Sequence, residues 1–241
     1  MSTKLEIAVF SIEAAVTALK AGAHRIEFCE NPQEGGTTPS YGSLKTLRSY
    51  TTQPVFPIIR PRGGDFFYSR SEFEVMKADL LIIKELGYLG AVIGLLNADG
   101  SIDTKRTKEL VDIAGPSMQI SFHRAFDRCN DPLIALEEII ETGCKRILTS
   151  GQVPNAADAI PLLKKLVEQA GDRMIIMPGS GVRSNNIKEI TQATAAKEMH
   201  SSARKMQASQ MHYFKATMQE ELLSTGIDFD EIRKMLEQLQ S

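Results

Sequence analysis

Short apolar or β-branched runs alternate along this chain with longer stretches whose apolar residues recur every three or four positions. The short runs read as strands: Leu5–Val9, Arg25–Cys29, Val55–Arg60, Ala91–Leu95, Gln119–His123, Arg146–Ser150, Met174–Pro178 and Lys197–Ser201. Between them, residues 11–21, 41–49, 71–86, 103–114, 132–141, 156–168 and 184–191 carry amphipathic helical spacing. The punctuation agrees. Gly22, Gly87, Gly115, Gly143 and Gly171 each follow a helical run, where a left-handed residue ends a helix. Ser11, Ser71, Asp103, Asp131 and Ser184 stand at N-cap positions. Beyond Ser202 the pattern predicts another helical stretch and a final amphipathic helix over 228–239.

Strands that alternate with helices form a parallel sheet, either closed into a barrel or open and doubly wound. No G-x-G-x-x-G follows the first strand, which removes the dinucleotide-binding signature of the open sheet. The length of 241 residues is close to the roughly 250 of an eightfold barrel. With no linker or low-complexity segment, the expectation is one domain over residues 1–241, a (β/α)8 TIM-type barrel.

Composition narrows the partners. Lys+Arg 28 against Asp+Glu 30 gives a net charge of −2, which argues against nucleic acid held by bulk positive charge. The longest apolar stretch, 80–96, is interrupted by Lys84 and Glu85, so no membrane span is expected. The N-terminus runs into a strand without a signal-peptide pattern, and Cys29, Cys129 and Cys144 lie far apart. A cytoplasmic protein is expected.

Barrel chemistry sits at the C-terminal ends of the strands, and side chains alternate along each strand. If Leu5, Ile7 and Val9 face the helices, Glu6 and Ala8 face inward; by the same parity Glu27 and Cys29 point in beneath Ile26 and Phe28. Arg60 and Arg62 share the parity of Phe56 and Ile58, His123 that of Ser121, and Glu198 that of His200. An internal ion pair explains any one of these groups. Together, Glu27, Arg60, His123, Asp127, Glu198 and His200 are candidate catalytic residues around one cavity mouth. Arg62, Ser150 and the Gly179-Ser180-Gly181 turn are candidate anion-binding groups, with the turn expected at the start of a helix near Ser184. Close metal-ligand spacings such as C-x-x-C or H-E-x-x-H are absent.

Five motifs carry a resemblance: 34-EGGTTPS-40, 60-RPRGGDF-66 with Tyr68, 122-FHRAFD-127, 146-RILTSG-151 and 200-HSSAR-204. They resemble the CutC family in order from about Leu5 to Tyr213. The resemblance implies a cytoplasmic TIM-type barrel, commonly a homo-oligomer, linked to copper homeostasis and metal binding. Members credited with copper(I) binding carry a thiol at the end of the first strand as well as the second. In this chain Cys29 fills the second position, while Ala8 and Val9 occupy the first. Copper(I) favours two or more soft ligands, so Cys29 as the single thiol predicts a weak copper site. Two readings stay open: a copper-homeostasis protein whose partner is a copper ion, or a barrel enzyme acting on a small anionic or phosphorylated metabolite.

Overall fold

The computed structural model describes residues 3–219 and 221–240. Eight parallel strands run β1 (Lys4–Val9), β2 (Arg25–Phe28), β3 (Val55–Pro57), β4 (Gly90–Ile93), β5 (Gln119–Phe122), β6 (Arg146–Thr149), β7 (Ile175–Pro178) and β8 (Glu198–Ser201). They pair in two arcs, β3-β2-β1-β8 and β4-β5-β6-β7. The arcs close on each other where Ile58 bridges Val92 beyond β3, and where β7 lies beside β8. The expected (β/α)8 barrel is present, with each strand within three residues of its predicted bounds.

Seven helices cover the strands: α1 (Ile12–Ala21), α2 (Tyr41–Tyr50), α3 (Arg70–Glu85), α4 (Thr104–Ala114), α5 (Pro132–Thr142), α6 (Ile160–Ala170) and α7 (Ile187–Thr194). Leu5, Ile7, Ile26, Phe28, Ile93, Phe122 and Ile147 point outward from the sheet into one core shared with Leu80, Leu110, Ile139 and Leu163 of the helices. Transfer of these side chains out of water is the main stabilising term. Caps set the helix starts. Ser11, Asp103 and Asp131 accept from backbone N–H groups as expected. Two expectations shift. Ser69, not Ser71, caps α3, because Glu72 completes a reciprocal capping box with it. Asn186, not Ser184, precedes α7, since the Ser184 N–H and hydroxyl both bond to Glu231.

The tail departs further from expectation. Instead of a helical stretch it forms an antiparallel hairpin, β9 (Arg204–Ala208) with β10 (Leu223–Ile227), exposed along β9 and buried at Gly226 and Ile227, before α8 (Phe229–Gln240). Helix α8 then packs against α1 and α7 through Ile232, Met235 and Leu236. No helix among the described residues is long and apolar enough to cross a membrane.

Candidate functional site

The barrel interior is polar at its lower end. Arg25 and Arg146 begin β2 and β6 and point inward, as Glu198 does at the start of β8. Arg25 pairs with both Glu6 and Glu198, and Arg146 lies 3.2 Å from Glu198. The Phe56 ring sits 5.2 Å from one guanidinium carbon and 5.4 Å from the other. Two cations and two carboxylates therefore neutralise one another in a layer no more than 6% exposed at any member. This layer corrects one expectation. Glu198 does not line the cavity mouth; it is a partner of two arginines at the opposite end of its strand.

Above this layer the register places Glu6 beside His200 and Ala8 beside Glu27. His200 Nδ1 is 2.8 Å from Glu6 and its Nε2 is 3.7 Å from Glu27. Burial raises the Glu6 carboxyl, but Arg25 and His200 outweigh it and hold it at about 2. Burial pushes Glu27 up to about 7, against the opposing pull of His200. His200 is moved upward, because its two carboxylate neighbours overcome the cost of burying its charge. The result is a chain Glu6–His200–Glu27 that ends at the cavity. Cys29 is beside Glu27, and burial together with that carboxyl pushes its thiol well up.

The cavity, about 1370 Å³, opens at the C-terminal ends of the strands. Glu27, Cys29, Arg60, His123, Asp127, Ser180, Gly181 and His200 line it, so strand parity correctly brought Glu27, Cys29, Arg60, His123 and His200, up to 173 positions apart, to one place. Arg60 donates to the carbonyls of Glu34, Gly36 (2.8 Å) and Gly64 (2.9 Å) and stacks 5.0 Å above Phe66. It forms no ion pair among the described residues; its buried Nε makes no well-formed hydrogen bond, and neither does the Tyr68 hydroxyl on which its charge acts. Gly36, at φ 101°, is required there: a Cβ would stand 3.2 Å from the Cys29 sulfur.

His123 is 3% exposed and neutral. Burial, then the Arg60 charge, lowers its pKa to about 3. Its Nδ1 accepts from the Ala125 N–H at 3.1 Å, so the proton resides on Nε2. That Nε2 is buried without an acceptor. Gly94 makes the ring position possible, since a Cβ there would fall 2.3 Å from the imidazole. The Phe66 ring lies 5.0 Å from His123 as well as 5.0 Å from Arg60, so both residues that carry an unsatisfied donor pack against one aromatic ring. Native proteins leave few buried polar atoms unpaired, and two beside one cavity call for an acceptor.

The remaining candidates divide. Asp127 is saturated: it accepts from Thr149, from the Ser150 N–H and hydroxyl, from the Gln152 N–H and from Arg124. It braces the loop after β6 and has no lone pair free for acid–base work. Ser150 is used up by the same contacts and by the Val153 carbonyl, and it does not line the cavity. Arg62 faces away, held by Asp65 at 2.9 Å and Glu72 at 2.6 Å. The Gly179 N–H bonds to Thr149, and a Cβ on Gly179 would strike Leu148 and His200. The turn through Ser180, at φ 80°, does reach the cavity, yet α7 begins only at Ile187, so no helix N-terminus supports it. Parity overlooked Arg25 and Arg146, although each shares the inward phase of its strand. It also overlooked Arg128, Arg183 and Arg204 on the rim, which form no ion pair among the described residues. Arg128 ends a 3-10 turn after β5, Arg183 follows β7 in a loop and Arg204 opens β9, and none of them lies in a predicted barrel strand whose parity would mark it.

Comparison with known proteins places this geometry in a lineage. The model of the CutC family matches residues 3–205. A CutC family protein of Photorhabdus laumondii is 50% identical over 214 residues, 89% of this chain and 85% of that relative. One from Erwinia tasmaniensis is 45% identical over 239 residues, 96% and 94% of the two chains. The crystal structure of a Streptococcus agalactiae protein described as copper homeostasis protein CutC is 33% identical, covers 83% of this chain and 98% of its own, and has a TM-score of 0.79. Phosphoribosylanthranilate isomerase of Thermotoga maritima, at 10% identity, 99% and 98% coverage and a TM-score of 0.60, shares the barrel fold.

Proposed function

This chain belongs to the CutC family, and we propose that it is a cytoplasmic barrel whose mouth receives a small organic anion through Arg60 and His123. One observation carries the reading: Arg60 Nε and His123 Nε2 are buried donors without acceptors beside the same cavity. A carbonyl, carboxylate or phosphate oxygen supplies what both lack. Arg128, Arg183 and Arg204 on the rim add a field that draws anions inward. An enzyme acting on such an anion fits these residues better than a metal carrier does.

The copper homeostasis named for the Streptococcus relative enters here only as a role served indirectly. The donors around Cys29 do not fit copper(I). Cys29 packs with Phe56, Ile58 and Val92, and its thiol is held in the protonated form by burial and Glu27. Among the described residues no group of three His, Cys, Asp or Glu side chains is arranged to hold a metal. Copper(I) titrated against a competing chelator is expected to bind weakly, and Cys29→Ser to change the affinity less than about twofold. A tight one-to-one complex that Cys29→Ser abolishes would reverse this conclusion.

The anion reading is tested by calorimetry with inorganic phosphate, pyruvate and dihydroxyacetone phosphate. Wild type is expected to bind one of them in the micromolar to millimolar range. His123→Asn keeps the Nδ1-like acceptor for Ala125 but loses the Nε2 donor, and should weaken binding by about tenfold, the worth of one hydrogen bond. Arg60→Lys should weaken it further, because a lysine cannot reproduce the planar fork. Absence of binding by all three probes, or variants that bind as well as wild type, would return the cluster to a purely structural role.

A further inference from the structure

We infer that the cavity floor is a proton-abstraction site: Glu27 takes a proton from carbon, His200 held by Glu6 connects Glu27 to the buried ion network, and His123 with Arg60 receives the oxygen of the resulting enolate. The inference rests on the anion reading and names its chemistry. The substrate class is a small carboxylate or phosphate ester with a C–H bond next to a carbonyl.

The assignment of the base follows by occupancy. Glu6 and Glu198 are tied to Arg25, Asp127 is saturated by hydroxyl and N–H donors, and Asp65 is paired with Arg62. Glu27 alone among these carboxylates is buried at the cavity with no arginine partner; its nearest cation is His200 at 3.7 Å. The neighbour of Glu27 on β1 is Ala8, also a cavity-lining residue, so space for a carbon skeleton lies next to the carboxylate. The acceptor-seeking donors come from two other strands: Arg60 follows β3, the neighbour of β2, and His123 follows β5 on the other arc. Arg60 reaches the Gly36 carbonyl, and Gly36 is packed on Cys29, which places the guanidinium on the Glu27 side of the cavity floor.

The step balances within these groups. The C–H bond breaks and its proton goes to a Glu27 oxygen; the electron pair moves into the adjacent bond as the carbonyl oxygen takes negative charge. The Nε2–H of His123 and the Nε–H of Arg60 hydrogen-bond that oxygen, and a neutral imidazole donor opposite a carboxylate base suits enolisation. Returning the proton, or a solvent proton exchanged for it on Glu27, to the same carbon completes an exchange without an oxidant or a metal. The raised Glu27 pKa, about 7, matches a base that must both take and release a proton near neutrality.

The charged or titratable groups acting on Glu27 are Cys29 and Arg25 of its own strand, Glu6 from β1 and His200 from β8. Removing the His200 cation takes away a stabiliser of the ionised base. His200→Gln should therefore move the midpoint of the pH–rate profile upward, a change that a merely structural role leaves alone.

The experiment incubates the full chain with pyruvate or with dihydroxyacetone phosphate in deuterium oxide and follows loss of the C–H signals by NMR. Deuterium incorporation above the protein-free rate is expected with one probe, and which probe responds separates a carboxylate from a phosphate ester. Glu27→Gln should keep binding within about threefold and slow incorporation by on the order of 100-fold or more. Glu27→Asp, with a shortened reach, should also bind and exchange slowly, and thermal melts confirm that each variant folds. Binding without exchange in wild type, exchange by Glu27→Gln at the wild-type rate, or an unmoved pH profile in His200→Gln overturns the inference while leaving the anion reading intact. No binding of either probe overturns both.

Discussion

Arg25→Met will destabilise the barrel by about 3–5 kcal/mol, the usual consequence of removing one partner from a buried ion network. Arg25 is bonded to both Glu6 and Glu198 and is only 6% exposed, so the substitution leaves two carboxylates with only Arg146 beside Glu198 and His200 beside Glu6 as cations. Repulsion and lost solvation act together. For a chain of 241 residues this corresponds to a drop of roughly 10 °C in melting temperature. Adding Glu198→Gln to Arg25→Met removes one stranded charge and should recover part of the loss. Urea titrations of wild type, Arg25→Met and the double variant measure each step. A single variant within about 1 kcal/mol of wild type would mean that the layer is solvated well enough to tolerate an open charge.

The same layer shows what the sequence could and could not disclose. Period-two alternation placed Glu6, Glu27, Cys29, His123, Glu198 and His200 inside the barrel, because each adjoins an apolar residue that must face the helices. Depth along a strand is a different matter. Glu198 and His200 share a parity but lie two residues apart on β8, enough to put one among arginines and the other at the cavity. Only the stagger between strands sets that depth, and stagger depends on pairings that no single strand encodes. Arg60 and Arg62 illustrate the other limit. Parity persists only while the chain is extended, and β3 ends at Pro57, after which the bridge at Ile58 keeps Arg60 inward and the glycines turn Arg62 out to Glu72. The hairpin was illegible for a related reason: Arg204–Ala208 and Leu223–Ile227 are separated by 14 residues of sequence, so neither run carries a turn signal that announces its partner.

His123 supplies the second large effect, on stability against pH. Its folded pKa of about 3 lies below the unbound value of 6.5, so at intermediate pH the unfolded chain binds a proton that the folded one refuses. Stability from this residue is complete above 6.5 and is lost as pH falls toward 3, by on the order of 5 kcal/mol over the whole window. Glu6, held at about 2 against 4.5, adds to the loss below pH 4.5. Glu27 works in the opposite direction: its folded carboxyl keeps a proton up to about 7, so its contribution declines as pH rises from 4.5 to 7. Between 4.5 and 6.5 the slopes of His123 and Glu27 therefore oppose each other, and the wild-type protein should be nearly flat there before falling steeply at lower pH. His123→Asn removes one of the opposing slopes. Its stability should decline with rising pH across 4.5–6.5, where wild type is flat, and its fall below pH 4.5 should be shallower. Urea unfolding at a series of pH values reads both curves, and nitrogen-15 shifts of the imidazole read the protonation state directly. An imidazole that takes up its proton near pH 6 in the folded protein would show that the ring is reached by water or by an anion, and the acid-side difference between the two proteins would disappear with it.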